Sequence, residues 1–374
     1  MTTRVGLFMA DFSGGGAERV MVNVANGLWA RGYHVDMIVA RAEGPYTNAL
    51  CPGICVQPLA RRLACCVFAL SKYLRRSRPA VVLAAGEHAC VVAVLARQLS
   101  GVRLRLVLSL HNAIRKGAAA RIRGAKDRFD PLLVRTFYRW ADRIVAVSND
   151  LRRESMRFIG GDPSKFVTIY NPLYCSAVID RASSPTDHPW LMRRDAQVIV
   201  AVGRLTPQKG FDTLLRAFVL VRQRLDARLI VLGEGPDRAA LTNLASLLGV
   251  REYVDFAGFM ENPYVYMRRA SVVAMSSRYE GFGNVLVEAM AVGTPVVSTN
   301  CPHGPREILA DGKYGALVPV DDPGALAEAI LSTIARPQAR TELIERARMF
   351  SIENAVGLYE EVMGLATPLG ESRS

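Results

Sequence analysis

"VIVAVGRLTPQKGFDTLLRAF", Val198–Phe218, decides the fold. It begins with a short apolar run bounded by Gly203, which reads as a buried strand. A polar loop follows, and a helical pattern starts at Phe211. Strand, loop and helix in that order form the repeating unit of an α/β protein. The same unit recurs with "ARLIVLGEG", "YVDFAG", "SVVAMSS", "PVVST" and "GALVPV" as further strands. The first half of the chain repeats it with "RVGLFMA", "HVDMIVA", "AVVLAAG", "LRLVLSLH", "RIVAVS" and "FVTIY". After "SGGG", Val20, Met21, Val24, Leu28 and Trp29 recur at helical spacing, and Gly32 stops that helix. Such repetition implies parallel sheets covered by helices on both faces.

The alternation pauses at Asn171–Ala196, where three prolines and several turn residues read as a linker. The expected architecture is therefore two α/β domains, each with a parallel sheet, joined by a linker that leaves a cleft between them. The first covers 1–172, the linker 173–196 and the second 197–350. A final helix over 351–366 is expected to pack back on the first domain. Ligands bind such sheets at the carboxyl ends of strands, so those loops are the candidate site.

Composition agrees with a globular soluble protein: 374 residues, half of them hydrophobic and 22% charged. Seven cysteines form no C-x-x-C pair and no zinc-type spacing. With no signal-peptide pattern, they are expected to be reduced thiols in a cytoplasmic protein. The longest apolar run is broken by Glu87 and His88, which argues against a membrane span. Charge is lopsided. Residues 1–180 carry 26 Lys and Arg against 12 Asp and Glu, and the remainder 21 against 22. The basic half suggests an anionic partner: nucleic acid, an anionic membrane surface or a phosphorylated substrate.

Several strand-to-helix loops carry groups suited to an anion. "DFSGGGAERV" places Gly15 and Gly16 before a helix, without the dinucleotide-binding glycine spacing. "VGRLTPQKG" offers Arg204 and Lys209, a fork and a point charge able to hold a diphosphate. "SLHNAIRKG" ends a strand at His111. "RYEGFGNVLVEAM", Arg278–Met290, puts Glu280 just before a helix and Glu288 within its otherwise apolar run. A buried carboxylate is costly unless its acceptors are satisfied, and vicinal sugar hydroxyls would satisfy it. A partner Lys or Arg would serve equally well.

"SRYEGFGNVLVEAMAVGTPVV" resembles the E-x7-E region of retaining glycosyltransferases of the GT-B fold, the family-4-like group that includes bacterial lipopolysaccharide and capsule transferases. "GGGAER", "VGRLTPQKGFDTLLRAF", "VLGEGP" and "VDFAGF" extend the resemblance over nearly the whole chain. It implies the GT-B fold, two Rossmann-like domains with parallel sheets facing across a cleft, and a nucleotide-sugar donor bound mainly by the second. Glu288 would hold the ribose and Glu280 the donor sugar. Backbone N–H groups of Gly281, Phe282, Gly283 and Asn284 would face the diphosphate and sugar, with Arg204 and Lys209 neutralising the leaving group. Gly15 or Gly16 would close over the phosphates, His111 would lie near the transferred sugar, and the base near Gly258 and Phe259.

"NCPHGPREIL" is similar to a subset acting in surface-polysaccharide and lipid-linked oligosaccharide pathways, which favours a UDP-sugar over GDP-mannose and places Gly304 near the diphosphate. No D-x-D motif appears, and "DDP" at Asp321 reads as a helix cap, so neither metal nor other cofactor is expected. The acceptor is expected to be lipid-linked or a glycan. Basic runs at 61–78 and 115–128 would dock the enzyme peripherally on the inner face of the cytoplasmic membrane. A GDP-mannose-dependent mannosyltransferase is the nearest alternative, and a GT-B epimerase or phosphorylase a more distant one. A nucleic-acid-binding protein would explain the basic half but not the glutamates, and no nucleic-acid-binding signature is present.

Overall fold

The structure is a computed structural model that describes residues 3–12, 15–59, 65–112, 131–193 and 196–365. It divides into two compact units. Residues up to Pro172, together with those from Ile352 on, form the first, and Leu173–Ser351 the second.

In the first unit the order is β1 (Arg4–Met9), α1 (Gly16–Ala30), β2 (His34–Val39), β3 (Cys55–Pro58), α2 (Cys66–Ser77), β4 (Val81–Ala85) and α3 (Glu87–Ser100). Then come β5 (Arg105–Leu110), α4 (Pro131–Phe137), β6 (Arg143–Ala146), α5 (Asn149–Ile159) and β7 (Phe166–Thr168). All strands pair in parallel in the order β3-β2-β1-β4-β5-β6-β7. Val5 sits between Val35 and Val81 in register, and all three are buried, as strands covered on both faces require. Chain order reverses between β1 and β4, so the loops after these strands diverge there.

The second unit contains α6 (Ser176–Ala182), α7 (Pro189–Arg193), β8 (Gln197–Val202), α8 (Phe211–Arg222), β9 (Ala227–Leu232), α9 (Arg238–Leu247) and β10 (Val254–Gly258). It continues with α10 (Tyr264–Arg269), β11 (Val272–Met275), α11 (Asn284–Ala291), β12 (Val296–Thr299), α12 (Pro305–Ile308), β13 (Ala316–Val318), α13 (Pro323–Ala335) and α14 (Arg340–Arg348). The parallel order is β10-β9-β8-β11-β12-β13, and its switch point lies between β8 and β11.

Two expectations need correction. The stretch read as a linker holds α6 and α7 and belongs to the second unit. Val178, Ala182 and Leu191 are buried, and the Arg181 guanidinium donates to the Glu261 carbonyl at 3.0 Å. The prolines hid helices too short to show a period. The edge strand β3 also went unread, because "CVQP" lacks an apolar run and is mostly accessible.

The last helix, α15 (Ile352–Met363), packs against α1 within the first unit. Gly27 permits this approach: a Cβ there would lie 2.4 Å from Val356 Cγ2. Arg31 pairs with the buried Glu360, and Arg105 Nε donates to the Val362 carbonyl at 2.8 Å. Gly27→Leu should therefore destabilise the protein by about 1–3 kcal/mol through overpacking. Denaturant unfolding checks this, and an unchanged midpoint would show that the two helices do not depend on close contact.

Candidate functional site

The loops after β8 and β11 leave the sheet at the switch point and are stitched together. Between β8 and α8, Pro207–Lys209 form a single 3-10 turn that ends at Gly210. Gly210 has φ +61°, and a Cβ there would lie 2.2 Å from the Ser276 carbonyl oxygen, so both backbone shape and space require glycine. The Arg278 amide donates to the Gln208 carbonyl at 2.8 Å, and the Gln208 side chain donates to the Tyr279 carbonyl at 2.9 Å. Ser276 Oγ donates to the Lys209 carbonyl at 2.9 Å.

This stitching brings Lys209 Nζ to 2.5 Å from Glu280 Oε1, and the Ser277 hydroxyl donates to the same oxygen at 2.6 Å. Glu280 is buried, at 7% exposure. The Glu280 amide donates to the Pro302 carbonyl at 3.2 Å, and Thr299 Oγ1 donates to the Ser277 carbonyl at 2.6 Å. The loop after β12 thus closes the other side. Gly304 packs directly on the backbone of Phe282, where a Cβ would meet the Phe282 carbonyl at 1.7 Å.

Arg278 braces these loops from outside. It donates to the Pro207 carbonyl at 2.6 Å and pairs with Asp212 at 2.7 Å and Asp321 at 2.8 Å. Burial pushes the Asp212 carboxyl up, but the hydrogen bond and charge of Arg278 outweigh it and hold that carboxyl below its ordinary range. Asp321 is therefore a clamp and not a cap. Its neighbour Asp322 caps α13 by accepting from the Ala325 amide at 2.9 Å.

The helix α11 starts at Asn284 behind Gly283, whose φ is +101°. Gly281, Phe282, Gly283 and Asn284 lead from Glu280 into that helix, and Phe282 is buried. Glu288 lies within α11 and is buried among Leu286, Val287, Ala289 and Met290. Arg204, in the loop after β8, is exposed and makes no side-chain hydrogen bond or ion pair among the described residues. Gly258 ends β10 and accepts the Gly233 amide at 2.7 Å, while Phe259 is 49% exposed. All these groups lie at the carboxyl edge of one sheet.

The remaining candidates belong to the first unit. Gly15 precedes α1 in an extended conformation, and Gly16 is its first residue. The Glu18 carboxylate leans over Gly15, where a Cβ would lie 2.3 Å from Glu18 Oε2. His111 follows β5, and its Nε2 lies 3.0 Å from Ser109 Oγ. Its buried Nδ1 has no protein partner among the described residues. Burial lowers its pKa to about 4, so the ring is neutral near pH 7. A neutral imidazole can exchange hydrogen bonds with a hydroxyl but is a poor proton donor.

Sequence reasoning missed Ser277, Arg278 and the Pro302 carbonyl as parts of the site. Their signal was position alone, directly after the apolar strands β11 and β12. It also assigned Lys209 and Glu280 separate duties, whereas here they form one pair. Cys301, buried beside Glu280, is pushed up to about 12, first by burial and then by the Glu280 charge. It stays a thiol and is no nucleophile at neutral pH. Among the described residues, no group of His, Cys, Asp and Glu is placed to hold a metal ion, and no helix is long and apolar enough to cross a membrane.

Two families match the chain in succession: Glycosyltransferase Family 4 over residues 14–176 and Glycosyl transferases group 1 over residues 187–350. The lipopolysaccharide core biosynthesis glycosyltransferase LpsE of Rhizobium meliloti is 38% identical over 181 residues, 48% of this chain and 49% of that relative. A Campylobacter jejuni N-acetylgalactosaminyltransferase acting on N-acetylgalactosamine-N,N'-diacetylbacillosaminyl-diphospho-undecaprenol is 26% identical, covering 92% of this chain and 94% of its own. Anabaena HepE, solved with UDP and glucose, superposes with a TM-score of 0.80 at 22% identity over 97% of this chain and 99% of that one.

Lowering of the His111 pKa makes stability fall toward acid. The unfolded chain takes up a proton near the ordinary value of 6.5, and the folded one only near 4. Stability present above pH 6.5 is thus lost between these values, by at most about 1.4 kcal/mol per pH unit. His111→Asn should flatten that part of the curve, as read by urea unfolding at pH 4 to 7. An equally steep fall in the variant would place the titrating group elsewhere.

Proposed function

Because the chain belongs to the GT-B glycosyltransferases of the family-4 type, we propose that it is a retaining enzyme that moves a hexose or N-acetylhexosamine from a UDP-sugar to a lipid-linked or polysaccharide acceptor in surface-glycan assembly. The observation that carries this reading is the buried Lys209–Glu280–Ser277 cluster at the switch point, with Glu288 in the helix behind it. The names of the Rhizobium and Campylobacter relatives support the glycan class, and the UDP bound to Anabaena HepE supports the donor class.

Breaking a sugar–phosphate bond leaves negative charge on the diphosphate and positive character on the sugar. Arg204 and Lys209 supply cations for the first, and Lys209 is already held in place by Glu280 before the reaction. An arriving diphosphate competes with Glu280 for the Lys209 ammonium, which frees the carboxylate to accept sugar hydroxyls. Glu288 accepts the ribose hydroxyls, and the first turn of α11 offers its N–H groups to phosphate oxygens. The leaving diphosphate assists deprotonation of the acceptor on the same face. No metal takes part in this scheme.

A donor panel tests it: UDP-glucose, UDP-galactose, their N-acetyl forms and GDP-mannose, each assayed in excess chelator. One UDP-sugar should be turned over with chelator present. Glu280→Gln and Glu288→Gln should each lower kcat/KM for it by roughly 10²-fold or more. Turnover of GDP-mannose alone would replace the donor assignment. Loss of activity in chelator, restored by magnesium, would remove the metal-free scheme.

We further propose that the first unit docks on anionic membrane from the cytoplasmic side. Along α2, Phe68, Lys72, Arg75 and Arg76 are all exposed and recur at helical spacing, with Phe68 at 74% exposure. That is one apolar anchor beside three cations on a single face. Residues 61–64 of the first basic run, and all of the run at 115–128, lie outside the described residues. Flotation should recover more protein with vesicles containing phosphatidylglycerol than with neutral ones, and Phe68→Ser with Lys72→Glu should reduce the difference. Equal recovery on both vesicles would exclude electrostatic docking.

A further inference from the structure

We propose that the second unit carries a separate pocket for a phosphorylated ligand, at the opposite end of its sheet from the donor loops. A cavity of about 530 Å³ opens beside the first residues of β8 and β11. Gln197 starts β8, and Ser271 directly precedes Val272 of β11. The loops bearing Lys209 and Glu280 follow the far ends of these same strands. A six-residue strand separates the two places by roughly 17 Å.

Three arginines line the cavity, Arg268, Arg269 and Arg340, and none of its described lining residues is acidic. Arg269 is committed to structure: it donates to the carbonyls of Ala182, Ser184 and Val265 at 3.3, 2.9 and 3.1 Å. Arg340 donates one N–H to the Val292 carbonyl at 2.8 Å, which leaves its other donors for a ligand. Arg268 makes no side-chain hydrogen bond or ion pair among the described residues.

Arg340 and Arg268 stand close enough to repel. Burial, and then the Arg268 charge, lower the pKa of Arg340. Two guanidinium groups in one concavity with no carboxylate among its described lining residues are an unfavourable arrangement by themselves and a favourable one around an anion. The volume exceeds what a lone ion needs, and Trp190 and Leu191 give it an apolar wall. Ser271 Oγ accepts the Val198 amide at 3.2 Å and keeps its own O–H to donate. A phosphoryl group between Arg268 and Arg340, with its organic part against Trp190, matches that set.

Calorimetry on the full chain tests the assignment with two probes, pyrophosphate and a water-soluble short-chain phosphatidic acid kept below its micelle concentration, at constant ionic strength. The first stands for a soluble phosphorylated molecule and the second for a lipid headgroup. Saturable binding of either is expected. Arg268→Ala and Arg340→Ala should each weaken it by roughly tenfold or more, since each removes a charge-assisted contact. Pyrophosphate can also meet Arg204 and Lys209 in the donor loops, so the site that counts is the one Arg268→Ala removes and Lys209→Ala leaves in place. Arg268→Ala removes no side-chain hydrogen bond among the described residues, so it decides the matter even where Arg340→Ala proves unstable. Absence of saturable binding with both probes would overturn the proposal. So would binding curves that Arg268→Ala leaves unchanged for both probes, in number of sites and in affinity.

Discussion

The Glu280 carboxylate is held almost out of water, and the geometry around it follows from that constraint. An unmatched buried charge costs several kcal/mol, and removing one partner of a buried pair typically costs about 3–5 kcal/mol. Lys209 and Ser277 match Glu280, but they come from loops after two different strands. Both loops must therefore hold a register good to a hydrogen-bond length. Gln208, Arg278 and Ser276 tie one loop to the other, and Thr299 and Pro302 tie the result to the next strand. The glycines follow from the same demand. At Gly210 and Gly304 the loops come so close that a side chain would strike a neighbouring carbonyl.

The fold was legible because its signal is redundant. Strands buried on both faces must be apolar throughout, so β1, β4, β8 and β11 stand out as runs of Val, Leu, Ile and Ala. The edge strand β3 is under no such requirement and gave no signal. Residues 173–196 misled for another reason: a helix of five or seven residues is shorter than two turns and shows no period. Its place is set by tertiary anchors such as Leu191, which no local window reveals.

The site was only partly legible. Residue types with one chemical use, Glu280, Lys209 and Arg204, could be picked out because charge beside an apolar strand is unusual. The pairing of Lys209 with Glu280 spans 71 positions, and nothing local encodes it. Asp321 and Asp322 show the same limit. Two adjacent aspartates before a proline read alike, yet one caps α13 and the other reaches Arg278. Backbone contributors such as the Pro302 carbonyl leave no trace in residue type at all.

Glu288 lies under a different constraint from Glu280. The helix α11 buries Leu286, Val287, Ala289, Met290 and Ala291 along with it, so an apolar side chain there would suit packing alone. A carboxylate in that setting has to be desolvated, and each of its oxygens needs a donor to offset the cost. Glu280 meets the requirement with an ammonium and a hydroxyl inside its own loops, and in doing so fixes the loops. Glu288 sits on a helix whose start is held by the contact between Gly304 and Phe282. One glutamate thus shapes the edge of the sheet. The other has an interaction partner of its own, and under the proposed function its carboxylate accepts the ribose hydroxyls.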